Sequence, residues 1–190
     1  MTYPRIPATV IAFALSMTLG VRADDGPSHA LHGFVEQGMS DWSVTGISIA
    51  VVKQGETVFL RGYGVRDIRS GEPVDEHTVF QIGSCSKPLS ATAIATLVSD
   101  GALQWDSRVA DVWPGFHTQD PGVMDQATLR DLLCHRTGVG EAESTLYYEM
   151  PISRNELLAR LPEVRQAVPF RTGWRYSNLM YVVAARMAEA

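Results

Sequence analysis

The stretch Phe80-Gln81-Ile82-Gly83-Ser84-Cys85-Ser86-Lys87 decides how this sequence is read. Ser84 and Lys87 stand three apart, so on a helix their side chains share a face. A serine hydroxyl is a weak nucleophile until a base takes its proton. A lysine is such a base only where burial or nearby charge disfavours its ammonium form. The spacing predicts a helix from about Ser84 to Asp100, with Leu89, Ala93, Ile94, Leu97 and Val98 on its apolar face and Gly101 as its C-terminal cap. Pro88 falls in the first turn, where backbone donors have no internal partner anyway. At that helix start the Ser84 backbone N–H is suited to an oxyanion. A chain with two lysines, Lys53 and Lys87, carries a chance S-x-x-K tetrad roughly 0.15 times, so the tetrad alone is weak. A helix cap followed by a solvated lysine explains it equally well.

On its N-terminal side, Ala30 to Gly38 reads as a short helix around Phe34 and Val35. Thr45–Val52 and Thr57–Tyr63 are β-branched runs separated by Lys53-Gln54-Gly55-Glu56, the pattern of a β-hairpin with Gly55 in left-handed backbone. Ser70-Gly71-Glu72-Pro73 is loop chemistry. On its C-terminal side, helices are expected over Thr128–His135, closed by Gly138, over Ser153–Leu161, and over Ser177–Ala190. An isolated hairpin needs further strands to bury it, and the last helix stops without a capping signal. The sequence therefore reads as the front part of a longer domain.

Composition bounds the function from outside. With 190 residues, 45% hydrophobic and 19% charged, the chain is neither low-complexity nor wholly disordered. A net charge of −5 and a pI near 5.5 argue against a nucleic-acid partner. Met1 to Ala23 has a positive start at Arg5, an apolar stretch from Ala8 to Gly20, and Val21-Arg22-Ala23 before a cut at Asp24. That is the pattern of a signal peptide for export to the periplasm or medium. The stretch is short for a bilayer of ~30 Å; an uncleaved anchor is the alternative, and no stable span is expected after cleavage. Cys85 and Cys134 form no C-x-x-C pair. Each sits in an apolar helical context, as a small buried hydrophobe or as half of a disulfide permitted by export.

G-x-S-x-G and H-E-x-x-H are absent, and Gly62-Tyr63-Gly64 lacks the third glycine of a dinucleotide loop. His29, His32, His77, His117 and His135 show no metal-ligand spacing, so no metal or other cofactor is implied. The context of Ser84 is more telling. The run from Phe80 to Lys87 resembles the F-x-I-G-S-x-S-K signature of the serine β-lactamase and penicillin-binding-protein superfamily, in particular its class C and esterase branch. Gly101-Ala102-Leu103-Gln104-Trp105-Asp106 with Val109 and Pro114, Leu132-Leu133-Cys134-His135-Arg136-Thr137-Gly138, and Tyr176-Ser177-Asn178 are similar to three further blocks of that branch, in order.

This resemblance, over roughly Val35 to Ala190, implies an α/β fold in which an antiparallel sheet is flanked by helices beside a mostly helical domain, incomplete in this chain. It implies Ser84 as the acylated nucleophile, Lys87 as acceptor or relay of its proton, and Tyr176 as the partner acid/base. Asn178 would bind the substrate amide or orient Lys87, or else serve as a helix N-cap. His135 is read as structural, fixing a turn near the site. The family's Lys- or His-Thr-Gly triplet finds no counterpart, because Arg171-Thr172-Gly173 and Arg136-Thr137-Gly138 sit inside other blocks. The hairpin edge and helix faces are therefore expected to be exposed, and this chain alone to fold poorly and turn over little. Residues 24–190 are read as the first part of a secreted serine hydrolase acting on a small-molecule or peptide substrate: a β-lactam, a D-alanyl peptide or a small ester. A non-catalytic binding or sensor module of the same fold is the alternative. Oligomeric state is not legible.

Overall fold

Gln54 (φ 53°) and Gly55 (φ 85°) both take left-handed backbone, and so make the two-residue turn that suits a twisted hairpin. It joins β1 (Gly46–Lys53) to β2 (Glu56–Gly64), antiparallel from Gly46↔Gly64 to Lys53↔Glu56, with a bulge beside Val51 and Val52. The computed structural model describes residues 27–141 and 152–190. The expected export signal lies outside them. They fall into two compact units, one ending at Phe80 and one running from Gln81 to Ala190.

In the first unit the hairpin follows α1 (Pro27–Asp41). Leu31, His32, Val35, Gly38 and Met39 form the least exposed stripe of that helix, at helical spacing. Val35 is buried, whereas Phe34 points outward. The His32 ring ties helix to hairpin: Nε2 accepts from Arg61 Nη1 at 2.7 Å and Nδ1 lies 2.8 Å from the Tyr63 hydroxyl. Among the described residues the sheet has two strands, and Val52, Val58 and Leu60 stay exposed, as a two-stranded hairpin leaves them.

The second unit holds the main core. A 3₁₀ turn, Gly83–Cys85, runs into α2 (Ser86–Ser99). The short helices α3 (Val109–Val112), α4 (Pro121–Gln126) and α5 (Leu129–Leu133) follow. Then come β3 (Val139–Glu141), α6 (Arg154–Ala159), β4 (Arg165–Gln166) and α7 (Asn178–Ala188), with β3 and β4 antiparallel. The whole is α/β, with antiparallel strands and helices. Phe116, Leu129, Leu132, Leu161, Leu179, Met180 and Met187 are fully buried, each worth about 1.5–3 kcal/mol of burial.

Four expectations need correction. Ser84 sits in the 3₁₀ turn rather than in the α-helix itself. On α2 only Ile94 is buried; Leu89 and Ala93 are exposed because the first turns of that helix are left uncovered. The helix expected to run to His135 ends at Leu133, since His135 itself takes φ 58°, a left-handed conformation that cannot continue a right-handed helix. Cys85 and Cys134 are both free and exposed, neither buried nor paired.

Candidate active site

Ser84, Lys87, Tyr176 and Asn178 all belong to the second unit and meet at one point. The Lys87 Nζ donates to Ser84 Oγ at 3.2 Å, to Tyr176 Oη at 2.6 Å and to Asn178 Oδ1 at 2.6 Å. An ammonium has three N–H donors, so these three acceptors use them all. The Ser84 and Tyr176 hydroxyls lie 2.5 Å apart, which closes a triangle of serine, lysine and tyrosine. Lys87 also stands over two aromatic faces, 4.6 Å from the Tyr176 ring centroid and 5.3 Å from that of Tyr181, where the ring quadrupoles favour a cation.

Local structure explains how each side chain arrives. The 3₁₀ turn brings Ser84 onto the same face as Lys87, one turn later in α2. Asn178 opens α7, but the cap is Ser177, whose hydroxyl accepts from the Met180 N–H. The Asn178 amide oxygen accepts from Lys87. Tyr176 is fixed by the segment around His135. The Arg175 N–H donates to the His135 carbonyl at 2.9 Å and the Ser177 N–H to His135 Nδ1 at 3.1 Å. Gly138 lets the two segments close up: it has φ +75°, and a Cβ there would lie 2.0 Å from the Val168 carbonyl oxygen. The half-exposed Arg171 ties the loop leading to Tyr176 to the buried Asp131 carboxylate.

An open cleft of about 360 Å³ lies against the triangle, lined by Ser84, Lys87 and Asn178 together with Ser90, Arg154, Tyr181 and Val182. Ser84 is exposed at its edge, where a substrate can reach it. Sequence reasoning missed Tyr181 and Arg154. Tyr181 lies three residues after Asn178, so helical spacing alone could have placed it on the same face. Arg154, paired with Glu189, carries no such local signal. Among the described residues no group of three or more His, Cys, Asp or Glu side chains is placed to hold a metal ion.

An exposed serine hydroxyl is thus hydrogen-bonded to a lysine and a tyrosine at the mouth of a helix-lined cleft. The Beta-lactamase family matches residues 31–190, and the chain belongs to that family, within the serine β-lactamase and penicillin-binding-protein superfamily. It is 29% identical over 179 residues to the unguisins hydrolase ungD of Aspergillus violaceofuscus, covering 88% of this chain and 31% of that protein. It is 28% identical over 174 residues to the esterase EstB of Burkholderia gladioli, covering 84% and 44%. Among solved structures, the octameric penicillin-binding protein homologue from Pyrococcus abyssi superposes with a TM-score of 0.77 at 26% identity, over 86% of this chain and 39% of that one. The chain thus spans less than half the length of these relatives. Among the described residues no helix is long and apolar enough to cross a membrane.

Proposed function

We propose that the protein is an exported serine hydrolase that works through an acyl-enzyme, with Ser84 as nucleophile. Ser84 Oγ attacks the carbonyl carbon of an ester, a D-alanyl peptide or a β-lactam. In the reactive form the tyrosine–lysine pair holds one proton fewer than a phenol beside an ammonium, as a phenolate held by the Lys87 ammonium across the 2.6 Å contact. The serine proton passes to the Tyr176 oxygen across the 2.5 Å contact and goes on to the leaving oxygen or nitrogen as that bond to carbon breaks. Water then attacks the acyl carbon, gives a proton to the same pair, and Ser84 takes it back as the carbonyl–Oγ bond opens. Asn178 holds the Lys87 amine in register, and the Ser84 N–H faces the developing oxyanion.

The observation that carries this reading is the closed triangle of Ser84, Lys87 and Tyr176. A binding or sensor module has no need for a hydroxyl wired to two proton carriers. The test is covalent labelling of the full-length protein with a fluorescent penicillin and a fluorophosphonate, wild type against Ser84→Ala. Labelling of the wild type alone is expected. Equal labelling of both would remove Ser84 as nucleophile, and labelling of neither would favour a non-catalytic module. The relative reactivity of the two probes reports whether lactam or simple acyl substrates suit the cleft.

A further inference from the structure

His135 grips Tyr176 from both of its peptide flanks. The residue before, Arg175, donates its N–H to the His135 carbonyl, and the residue after, Ser177, donates its N–H to the His135 ring nitrogen Nδ1. Between these two bonds the imidazole lies against the Tyr176 ring, with centroids 4.6 Å apart and planes tilted by 36°. The ring is walled in further by Tyr181 at 5.4 Å and Trp174 at 5.6 Å. His135 is buried. Its left-handed backbone, φ 58°, is what aims the ring and the carbonyl at the same short segment.

We propose that His135 is the positioning residue that sets the Tyr176 hydroxyl against Ser84 and Lys87, and that it does so only as the neutral imidazole, so that acid disarms the centre by removing one hydrogen bond. This rests on the hydrolase reading above. The Ser177 N–H can donate only to a bare Nδ1, so the proton of the neutral ring sits on Nε2. A second proton placed on Nδ1 meets the Ser177 N–H donor to donor. The bond is lost, and the segment that carries Tyr176, Ser177 and Asn178 is pushed away from the ring. The ionisable groups facing His135 are Lys87 from α2, Tyr176 from the loop and Tyr181 from α7, with Cys134 and Arg136 beside it in the chain. Among the described residues no carboxylate faces the ring to favour the imidazolium. Burial pushes the His135 ring down from its ordinary 6.5, and the Lys87 charge pushes it further, in keeping with a group built to stay neutral at physiological pH.

The test uses His135→Asn, whose amide oxygen stands where Nδ1 stood, whose backbone tolerates left-handed φ, and which cannot take up a proton. NMR of the full-length protein with labelled histidine and tyrosine is expected to show the Tyr176 signal moving with the same midpoint as the His135 ring, below 6.5, and not moving in the variant. In wild type the fluorophosphonate labelling rate falls below that midpoint by about tenfold per pH unit more than in His135→Asn. A Tyr176 signal that stays flat through the His135 titration, or an acid limb identical in both proteins, would overturn the proposal. If His135→Asn does not fold, the wild-type NMR titration decides alone. Should Tyr176 follow His135 while wild type never labels, the hydrolase reading falls and the positioning role stands.

Discussion

The Arg171 guanidinium holds the Asp131 carboxylate with two bonds across 40 residues of sequence, Nη2 to Oδ2 at 2.6 Å and Nε to Oδ1 at 3.0 Å. Asp131 is buried and also closes the capping box at Thr128. One carboxylate therefore fixes both the start of α5 and the loop that leads to Tyr176. Asp131→Ala removes the reciprocal half of the capping box, the bonds its carboxylate accepts from Thr128, and leaves the arginine without its partner. We expect a loss of about 2–3 kcal/mol, less than for a wholly buried pair because Arg171 is half open to solvent. Urea midpoints of Asp131→Ala, Arg171→Ala and the double variant check this, with a coupling between the two sites as the signature.

The same pair makes stability acid-sensitive. Burial alone pushes the Asp131 carboxyl up, but the bonds from Arg171 and Thr128 outweigh it and hold the group below its ordinary 3.8. The unfolded chain therefore takes up this proton at higher pH than the folded one. The contribution is complete at neutral pH and is lost as pH falls through 3.8 toward the folded-state value. Denaturation midpoints followed from pH 7 downward should drop less steeply in Asp131→Asn than in wild type.

Lys87 and Tyr176 should fail in different ways. Lys87→Ala removes the centre of the triangle, and the rate of Ser84 labelling should fall by about 10²–10⁴. Tyr176→Phe keeps the ring against His135 but removes the hydroxyl. Labelling is expected to slow less than in Lys87→Ala, while release of the acyl group slows more than its formation, so that labelled protein persists. Pulse-chase labelling separates the two steps.

Gly138 has no room for a side chain. Alanine there would combine a strained left-handed backbone with a clash on the Val168 carbonyl. The expected cost is about 2–4 kcal/mol, with loss of labelling because His135 lies three residues away. Thermal unfolding of Gly138→Ala checks the first part and probe labelling the second.

Met180 is wholly buried on the core side of α7. Met180→Ala should cost about 2–5 kcal/mol, read as a lowered denaturation midpoint.

The sequence made the hairpin legible because its turn chemistry is local: Gln54-Gly55 lies between two β-branched runs, and backbone twist does the rest. Ser84 and Lys87 were legible for a similar reason, since three residues of spacing near a helix start leave little freedom. That Tyr176 and Asn178 join them followed from the ordered blocks, which is resemblance rather than spacing. What local pattern could not reach were the contacts that cross the chain. Ser177 takes the capping role that stood as the alternative for Asn178, and the choice between the two neighbours is not set by residue type, since Asn and Ser cap equally well. Leu89 and Ala93 were placed on a core face by helical period, but period identifies a face and not what covers it. That α5 ends at Leu133, short of the expected His135, was not legible because nothing local in the sequence marks the left-handed backbone at His135.

Helix α7 is at once a wall of the cleft and a pillar of the core. Leu179, Met180, Val183, Ala184 and Met187 are buried along it, while Asn178, Tyr181 and Val182 line the cleft from the same eleven residues. Successive side chains are fixed 100° apart around one rigid axis, so a rotation or slide of the helix that relieves strain among the buried methionines must carry the Asn178 amide with it. Warming toward the melting transition would then blur the lysine's surroundings before the fold is lost, and the temperature at which activity begins to fade would measure the looseness of this one helix.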